Sequence, residues 1–466
     1  MPVFTPETLA RWTGGRWTAQ PVSPLSGFTI DSRSVGAGQV FVALKTDKRD
    51  GHDFLAAAAA AGATAALVSC PDRSLALPQL VVADPLAAFQ CIAREHRRTF
   101  RGPVIGISGS AGKTSTKNLV ALLLGGEAGA VLSTEGNLNN HLGVPLTLTR
   151  LDPTRHRFAV IEAGISAPGE MSPLAEMIEP DVSLITLIAH AHTHELGGLD
   201  GVAREKSRLP AATRATGVAI FPQQVGEFAA FRDLGVRTMR IEPAEVIRPA
   251  EPPKDTVYFA VTQRGESTAV ALAYGQPPPL TFTFRRVTDG NAQNAVLAIC
   301  TALWLGVSPD TIQSRLAAWQ PAKLRGEMRE DHGRLLYVDC YNANPASMHD
   351  ALATFVAVAP AAEPRLYVIG CMEELGAEAP AHHRRLGRAI ALRDNDRLFV
   401  IGAQAHEVAA GLRENGASPA QFQVVSSLDP VAVAVAEWQG AVFVKGSRRY
   451  HLENALQAQA AQPQPC

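Results

Sequence analysis

Charge of one sign is the first thing this chain lacks. Its 43 Lys and Arg against 44 Asp and Glu leave a formal net charge of −1 over 466 residues. That balance removes the electrostatic case for nucleic acid or an anionic membrane as partner. Long apolar runs are also missing. Nothing approaches the roughly 20 residues that cross a bilayer, so no membrane insertion is expected. The opening MPVFTPETLARWTGG has no basic stretch ahead of an apolar core, and no secretory signal is expected. The six cysteines, at 70, 91, 300, 340, 371 and 466, follow neither metal-like nor disulfide-like spacing. A cytoplasmic protein with reduced thiols is the expectation.

What is present is enough apolar matter to build cores: 46% of the residues are hydrophobic. The length implies about three domains. The expected architecture is α/β throughout: a small N-terminal domain over 1–102, a central parallel-sheet domain with a phosphate loop over 103–321, and a doubly wound, Rossmann-like domain over 322–466. In the first, short strands at Val40–Leu44 and Leu80–Val82 flank an alanine-rich helix, Phe54–Ala61, closed by Gly62. Arg101-Gly102-Pro103 reads as a linker. In the second, strands at Phe158–Glu162, Val182–Ile188 and Gly217–Phe221 alternate with helical stretches, as a parallel sheet requires. Thr256–Phe284 reads as antiparallel strands turning at Gln276-Pro277-Pro278-Pro279, followed by a helix from Ala292 to Leu305. Gln320-Pro321 breaks the chain again. Beyond it, strands at Leu335–Asp339, Arg365–Ile369, Arg397–Ile401 and Ala441–Val444 alternate with helices such as Ser347–Val358. The tail Ala458–Cys466 reads as low-complexity and frayed.

GISGSAGKTST, Gly106 to Thr116, carries the strongest chemical signal. An apolar strand precedes it, and Leu119, Val120, Leu122 and Leu123 recur after it at helical spacing. A strand, a glycine turn and a helix start aim backbone N–H groups at one point, the arrangement that cradles phosphate. Gly109, Ser110, Ala111 and Gly112 form the turn. Lys113 adds a mobile positive charge, and the hydroxyl of Thr114 or Ser115 can hold Mg²⁺. The glycines fall at 106, 109 and 112, and Ile107 occupies the position where the commonest form of the loop has its first glycine. An ATP site is expected here.

Other segments gain meaning from that loop. Glu162 ends the strand FAVIE at the carboxyl edge of a parallel sheet, where a carboxylate faces the phosphate crevice and suits Mg²⁺. His190, His192 and His194 alternate, and at strand spacing they share one face. Imidazole suits zinc, but three polar residues at a strand edge read the same way, and no cysteine or carboxylate set completes a zinc site. Asn291 and Asn294 open a helix, where amides either read an adenine or cap. Asp339, Tyr341, Asn342 and Asn344 form a polar loop after a strand, where ligands bind or the chain merely turns. Lys445 and Arg448, after the last strand, could hold a carboxylate or be a solvated basic turn.

Taken together these segments resemble the Mur ligase family, the ATP-dependent amide ligases of peptidoglycan precursor synthesis. The resemblance runs in order through IDSRSVGAGQVFVAL, DGHDF, GSAGKTST, STEGNLNNHLGVPLTL, VIEAGISAPGEM, the His192–Lys206 segment, NAQNA, DCYNANPASM, GCMEELG, His383 and VKGSR. It implies that Lys113 and Thr114 hold the phosphates and a first Mg²⁺ shared with Glu162. His192 stands fourteen residues before Lys206, the family's interval between its metal-site histidine and a carbamylated lysine that serves a second Mg²⁺. An unmodified lysine would repel the ion, whereas its CO₂ adduct is an anion. Asn294 corresponds to the adenine-reading residue, and Arg325, Asp339, Tyr341, Asn342 and Asn344 to nucleotide contacts from the last domain. Ser32 and Arg33 fall where the family contacts a UDP-sugar, Asn139 and Asn140 on a loop facing that substrate, and Lys445 and Arg448, in the matched VKGSR segment, are candidate substrate contacts.

The DGH, YNANP and GCMEELG segments point to the branch that adds D-alanyl-D-alanine to a UDP-N-acetylmuramoyl-tripeptide through an acyl phosphate. The Asp-Asn-Pro-Arg signature of the ligase adding the third amino acid is not found. Rival readings are a family ligase for another amino acid and a degenerate ATP-binding partner protein. A monomer is expected, with 101–103 and 320–322 as hinges. Departures from the family pattern fall at Cys371 and Val338, where acids are usual, at Gly290 in place of His, and at Arg449 in place of Gly.

Overall fold

The computed structural model describes residues 2–125, 129–190, 193–245, 247, 255–275 and 278–456, the side chain of His194 excepted. His192, Gln276, Pro277 and the tail from Ala458 lie outside the described residues. The chain forms three sheets, and the α/β expectation holds.

The N-terminal sheet has five strands, in the order Arg16–Trp17, Gln79–Val81, Ala65–Val68, Gln39–Val42 and Gly27–Thr29, parallel except for the first pair. The alanine-rich helix is shorter than its composition suggests. Asp50 caps a 3-10 turn at Gly51–Phe54, and the α-helix runs from Leu55 to Ala60. The helix Pro85–Thr99 starts where Asp84 accepts from the Leu86 and Ala87 amides, satisfying two of the free N–H groups of a helix start. Its Ala88, Phe89 and Ile92 are buried against the sheet.

The central sheet has nine strands, in the order Leu280–Arg285, Ser267–Leu272, Thr256–Arg264, Thr238–Pro243, Val218–Pro222, Val182–Ile185, Val104–Ser108, Phe158–Glu162 and Val131–Ser133. The first three pair antiparallel, as their alternating pattern implies, and the rest are parallel. Val104–Ser108 lies between Val182–Ile185 and Phe158–Glu162, so the strand order reverses there and opens a crevice at its carboxyl end. Helices Lys113–Leu124 and Asp289–Trp304 cover one face, burying Leu119, Val120 and Leu123 against Val296, Leu297 and Ile299. Each such side chain contributes about 1.5–3 kcal/mol by leaving water.

The strand expected over Val182–Ile188 stops at Ile185, and Thr193–Leu196 is helical. His190 therefore lies beyond that strand, and the strand reading does not hold over the described residues. Leu196 packs into the apolar cluster around Met171 and Leu174, and that burial outweighs the period-two pattern. The C-terminal sheet runs Glu327–Asp331, Arg334–Asp339, Ala441–Lys445, Arg365–Gly370, Arg397–Ile401 and Phe422–Val425, parallel after the first hairpin.

Candidate active site

The phosphate loop takes the shape its glycines permit. Gly109 (φ +148°) and Gly112 (φ +79°) have left-handed backbones, while Gly106 sits within the strand. A Cβ at Gly109 would come within 1.9 Å of Thr186 Oγ1, and one at Gly112 within 2.7 Å of the Asn294 amide. Thr186 itself donates to the Ala111 carbonyl. Ser110 Oγ donates to Ala189 O at 2.9 Å and accepts from Ala189 N at 3.0 Å. Lys113 starts the helix and its Nζ donates to Gly109 O at 2.8 Å. Burial holds this ammonium below its usual range, and Glu162 offsets part of the shift.

Glu162 is 1% exposed. Its Oε1 accepts from Thr114 Oγ1 at 3.2 Å and from Asn139 Nδ2 at 2.8 Å. Its Oε2 is buried with no hydrogen-bond partner. An unpaired buried carboxylate oxygen is costly to maintain, and beside the Thr114 hydroxyl it suits a hard divalent cation. These residues therefore fit Mg²⁺.

Lys206 lies on the helix Gly198–Ala211 and is 2% exposed, so it is no surface lysine. Burial first, and the neighbouring Lys113 charge second, hold its amine well below the usual range, with Glu205 opposing.

One cavity of about 740 Å³ gathers most of the predicted residues. Ser110 to Ser115, Asn139, Asn140, Glu162 and Asn294 come from the central domain; Arg325, Asp339, Tyr341, Asn342, Asn344 and Lys445 come from the C-terminal side. The Arg325 guanidinium stacks 3.9 Å over the Tyr341 ring. Lys445 Nζ donates to Asp339 Oδ2 at 2.7 Å, and Asn344 caps the helix Pro345–Val358 in a capping box with Ser347. Asn140 Oδ1 caps the helix at Gly143.

Gly109 and Lys206 support this cavity without being among its lining, and Arg448 pairs with Glu453. Ser32 and Arg33 stand on the 3-10 turn Ser32–Ser34 of the N-terminal domain, Arg33 paired with Asp31 at 2.8 Å. The structure does not bring these last three into the cavity.

Among the lining residues that escaped the sequence reading are Thr186 and Asp350. Thr186 follows a strand by one residue, with only its hydroxyl to mark it. Asp350 is six residues beyond Asn344, and its side chain turns back to accept from the Gly290 amide at 3.1 Å. Burial raises its carboxyl. A Cβ at Gly290 would meet Asp350 Oδ2 at 2.6 Å, which accounts for glycine there. The other departures are structural as well. Val338 is a buried strand residue, and the buried Cys371 thiol is pushed to about 12. Arg449 pairs with Glu373 at 3.2 Å.

Three family profiles match in order: the Mur ligase family, catalytic domain, over 24–96; the Mur ligase middle domain over 107–302; and the Mur ligase, glutamate ligase domain, over 324–448. The UDP-N-acetylmuramoyl-tripeptide–D-alanyl-D-alanine ligase of Escherichia coli strain K12 is 33% identical over 441 residues, covering 93% of each chain. The crystal structure of MurF from Acinetobacter baumannii superposes with a TM-score of 0.85 at 29% identity, covering 98% of this chain and 99% of that one. MurF ligase from Thermotoga maritima, solved in complex with ADP, shares the fold with a TM-score of 0.78 at 23% identity, covering 93% of this chain and 96% of that one. A phosphate loop at the sheet's switch point, a carboxylate with a free oxygen beside it and three matched domains in order lead to one assignment: the chain belongs to the Mur ligase family.

Proposed function

We propose that this chain is an ATP-dependent, ADP-forming ligase that joins D-alanyl-D-alanine to a UDP-N-acetylmuramoyl-tripeptide, a step in building the cell wall. The observation that carries the reading is the shared cavity, in which the phosphate loop and Glu162 of one domain face Arg325, Tyr341 and Asn344 of another. The tripeptide carboxylate attacks the γ-phosphorus of ATP, and ADP leaves. The dipeptide amine then attacks the acyl phosphate, and inorganic phosphate leaves as the amide forms and the amine loses its proton.

An anion attacking an anion is slow, and the chain's own groups address this. Lys113 brings positive charge to the transferred phosphoryl group, and the loop amides donate to its oxygens. Asn294 and the Arg325–Tyr341 pair hold the nucleotide. Two Mg²⁺ ions, held by Thr114 and Glu162 and by His192 and Lys206, would supply further charge neutralisation. Lys206 serves as its carbamate: the neutral amine adds to CO₂ and releases a proton. Its burial lowers the amine's affinity for a proton, and the product anion would replace repulsion from Lys113 with attraction.

The N-terminal domain, through Ser32 and Arg33, takes the UDP-sugar, with Asn139 and Asn140 beside it. Lys445 and Arg448 lie towards the incoming dipeptide. We read the protein as a monomer working in the cytoplasm, where its thiols would stay reduced.

Phosphate release by the purified protein, assayed with tripeptides ending in lysine or in diaminopimelate, should require ATP, the UDP-tripeptide and D-alanyl-D-alanine together. Turnover with a single amino acid replacing the dipeptide would sink the reading.

A further inference from the structure

We propose that His190, Glu378 and His382 form a site for a late first-row divalent cation of the Zn²⁺ class, clasping the central domain to the C-terminal domain. His190 follows the last strand of the phosphate crevice. Glu378 and His382 stand at the start of the helix Ala379–Ala389, four residues apart and so on one face. Sequence spacing left His190 without a ligand set; the domain seam brings the other two residues to it.

The three side chains already meet at one carboxylate oxygen, which hydrogen-bonds His382 Nε2, and their spacing suits a metal. His190 Nδ1 is buried and lies 3.3 Å from Glu378 Oε2, yet forms no hydrogen bond with it or with any other group among the described residues. His382 Nε2 lies 3.2 Å from the same oxygen. With bonds of about 2.0–2.1 Å, neighbouring ligand atoms of a tetrahedral zinc site stand about 3.3 Å apart. Both distances therefore match tetrahedral edges. All three ligand atoms lie within 4.8 Å of one another.

The donor set is two imidazoles and one carboxylate, which suits Zn²⁺, Co²⁺ or Ni²⁺ and not the oxygen-seeking Mg²⁺. The Glu378 side chain is 59% exposed, which leaves a fourth position open to water.

The position gives the site a consequence. Ser110 of the phosphate loop holds both the N–H and the carbonyl of Ala189, the residue before His190. A cation on His190 and His382 thus ties the segment bracing the phosphate loop to the domain across the seam.

The test uses the full chain in millimolar Mg²⁺, titrated with Zn²⁺ against a chromophoric chelator. We expect one equivalent, weakened at least tenfold by each of His382→Ala, His190→Gln and Glu378→Gln. Glu378→Gln alters an exposed side chain and keeps its shape, so a folding failure cannot account for its loss. Co²⁺ should give tetrahedral absorption bands in the parent that vanish in the variants. Unchanged Zn²⁺ affinity in all three variants, or loss of the site through Glu162→Gln alone, would overturn the site. Amide exchange around 320–322 should slow when Zn²⁺ binds the parent; Zn²⁺ bound by these residues without that protection would overturn the clasp.

Discussion

The central domain meets its two neighbours in different ways. On the N-terminal side the junction is built around a wholly buried cation. Arg97 Nε donates to Ile178 O at 2.8 Å, and Nη2 donates to Glu179 O at 2.7 Å and Asp181 Oδ2 at 3.0 Å. The same Asp181 oxygen accepts from Val104 N at 2.8 Å, at the root of the phosphate strand. Burial pulls the Arg97 guanidinium down to about 10, so it stays charged at neutral pH. His96 donates from Nε2 to Leu151 O at 2.7 Å, and Ala93 and Phe100 join the central apolar cluster.

On the C-terminal side the junction is the polar cavity itself, bridged by Gly290 N to Asp350 and by Arg285 to the Met328 carbonyl at 3.3 Å. A buried, fully paired charge has one good arrangement, whereas a wet seam has several. The first junction holds the root of the phosphate strand through a buried charge, whereas the second rests on one exposed and one half-buried hydrogen bond among those named. The Arg97 network straddles 101–103, one of the two hinges expected from sequence.

Breaking the rigid side should give the largest effect. Arg97→Ala leaves Asp181 with Val104 N and Arg214 but removes the donor to the carbonyls of Ile178, Phe100 and Glu179, and should cost at least about 2 kcal/mol of stability, since each buried carbonyl left unpaired costs about 1–3 kcal/mol. Denaturant titration measures it; a loss below about 1 kcal/mol, the range of an exposed pair, would show that the junction is not fixed by this residue.

The reactive side should respond in rate. Lys206→Ala should lower phosphate release by at least about 10²-fold, the scale for losing one electrostatic stabiliser. Short carboxylates such as formate should restore part of it. Lys206→Arg should resist rescue, because a guanidinium keeps its charge and takes up no CO₂. A normal Ala variant would dispose of the carbamate.

The smallest effect sharpens the contrast through pH. Burial holds His96 below its ordinary value. The unfolded imidazole takes up a proton near pH 6.5 and the folded one only at lower pH, so this contribution is complete above about pH 6.5 and is lost as pH falls. Melting curves of the parent and His96→Gln should diverge above that value and converge below it. Parallel curves would remove His96 from the junction.

The same contrast governs what could be read from the sequence. The phosphate loop, Glu162, Asn294 and the Asp339–Asn344 loop were legible because each is a local pattern at the end of a strand or the start of a helix. Their convergence followed from the sheet's switch point. Arg97 was not legible, since nothing near it in sequence distinguishes a buried arginine from a solvated one on the same helix. The burial of Lys206 was hidden likewise, and Asp350 depends on packing across a seam. The histidine alternation misled at His190, because the strand that would give it meaning ends at Ile185.

The Arg97 junction also sets a clock on synthesis. Its carbonyl and carboxylate partners lie 81 to 84 residues further along the chain. At about 5–20 residues per second, roughly 4–17 s pass between completion of that arginine and completion of its last partner. During that interval the N-terminal domain has its own sheet but nothing to dock against, and its guanidinium stays in water. The first domain is therefore made early and seated late.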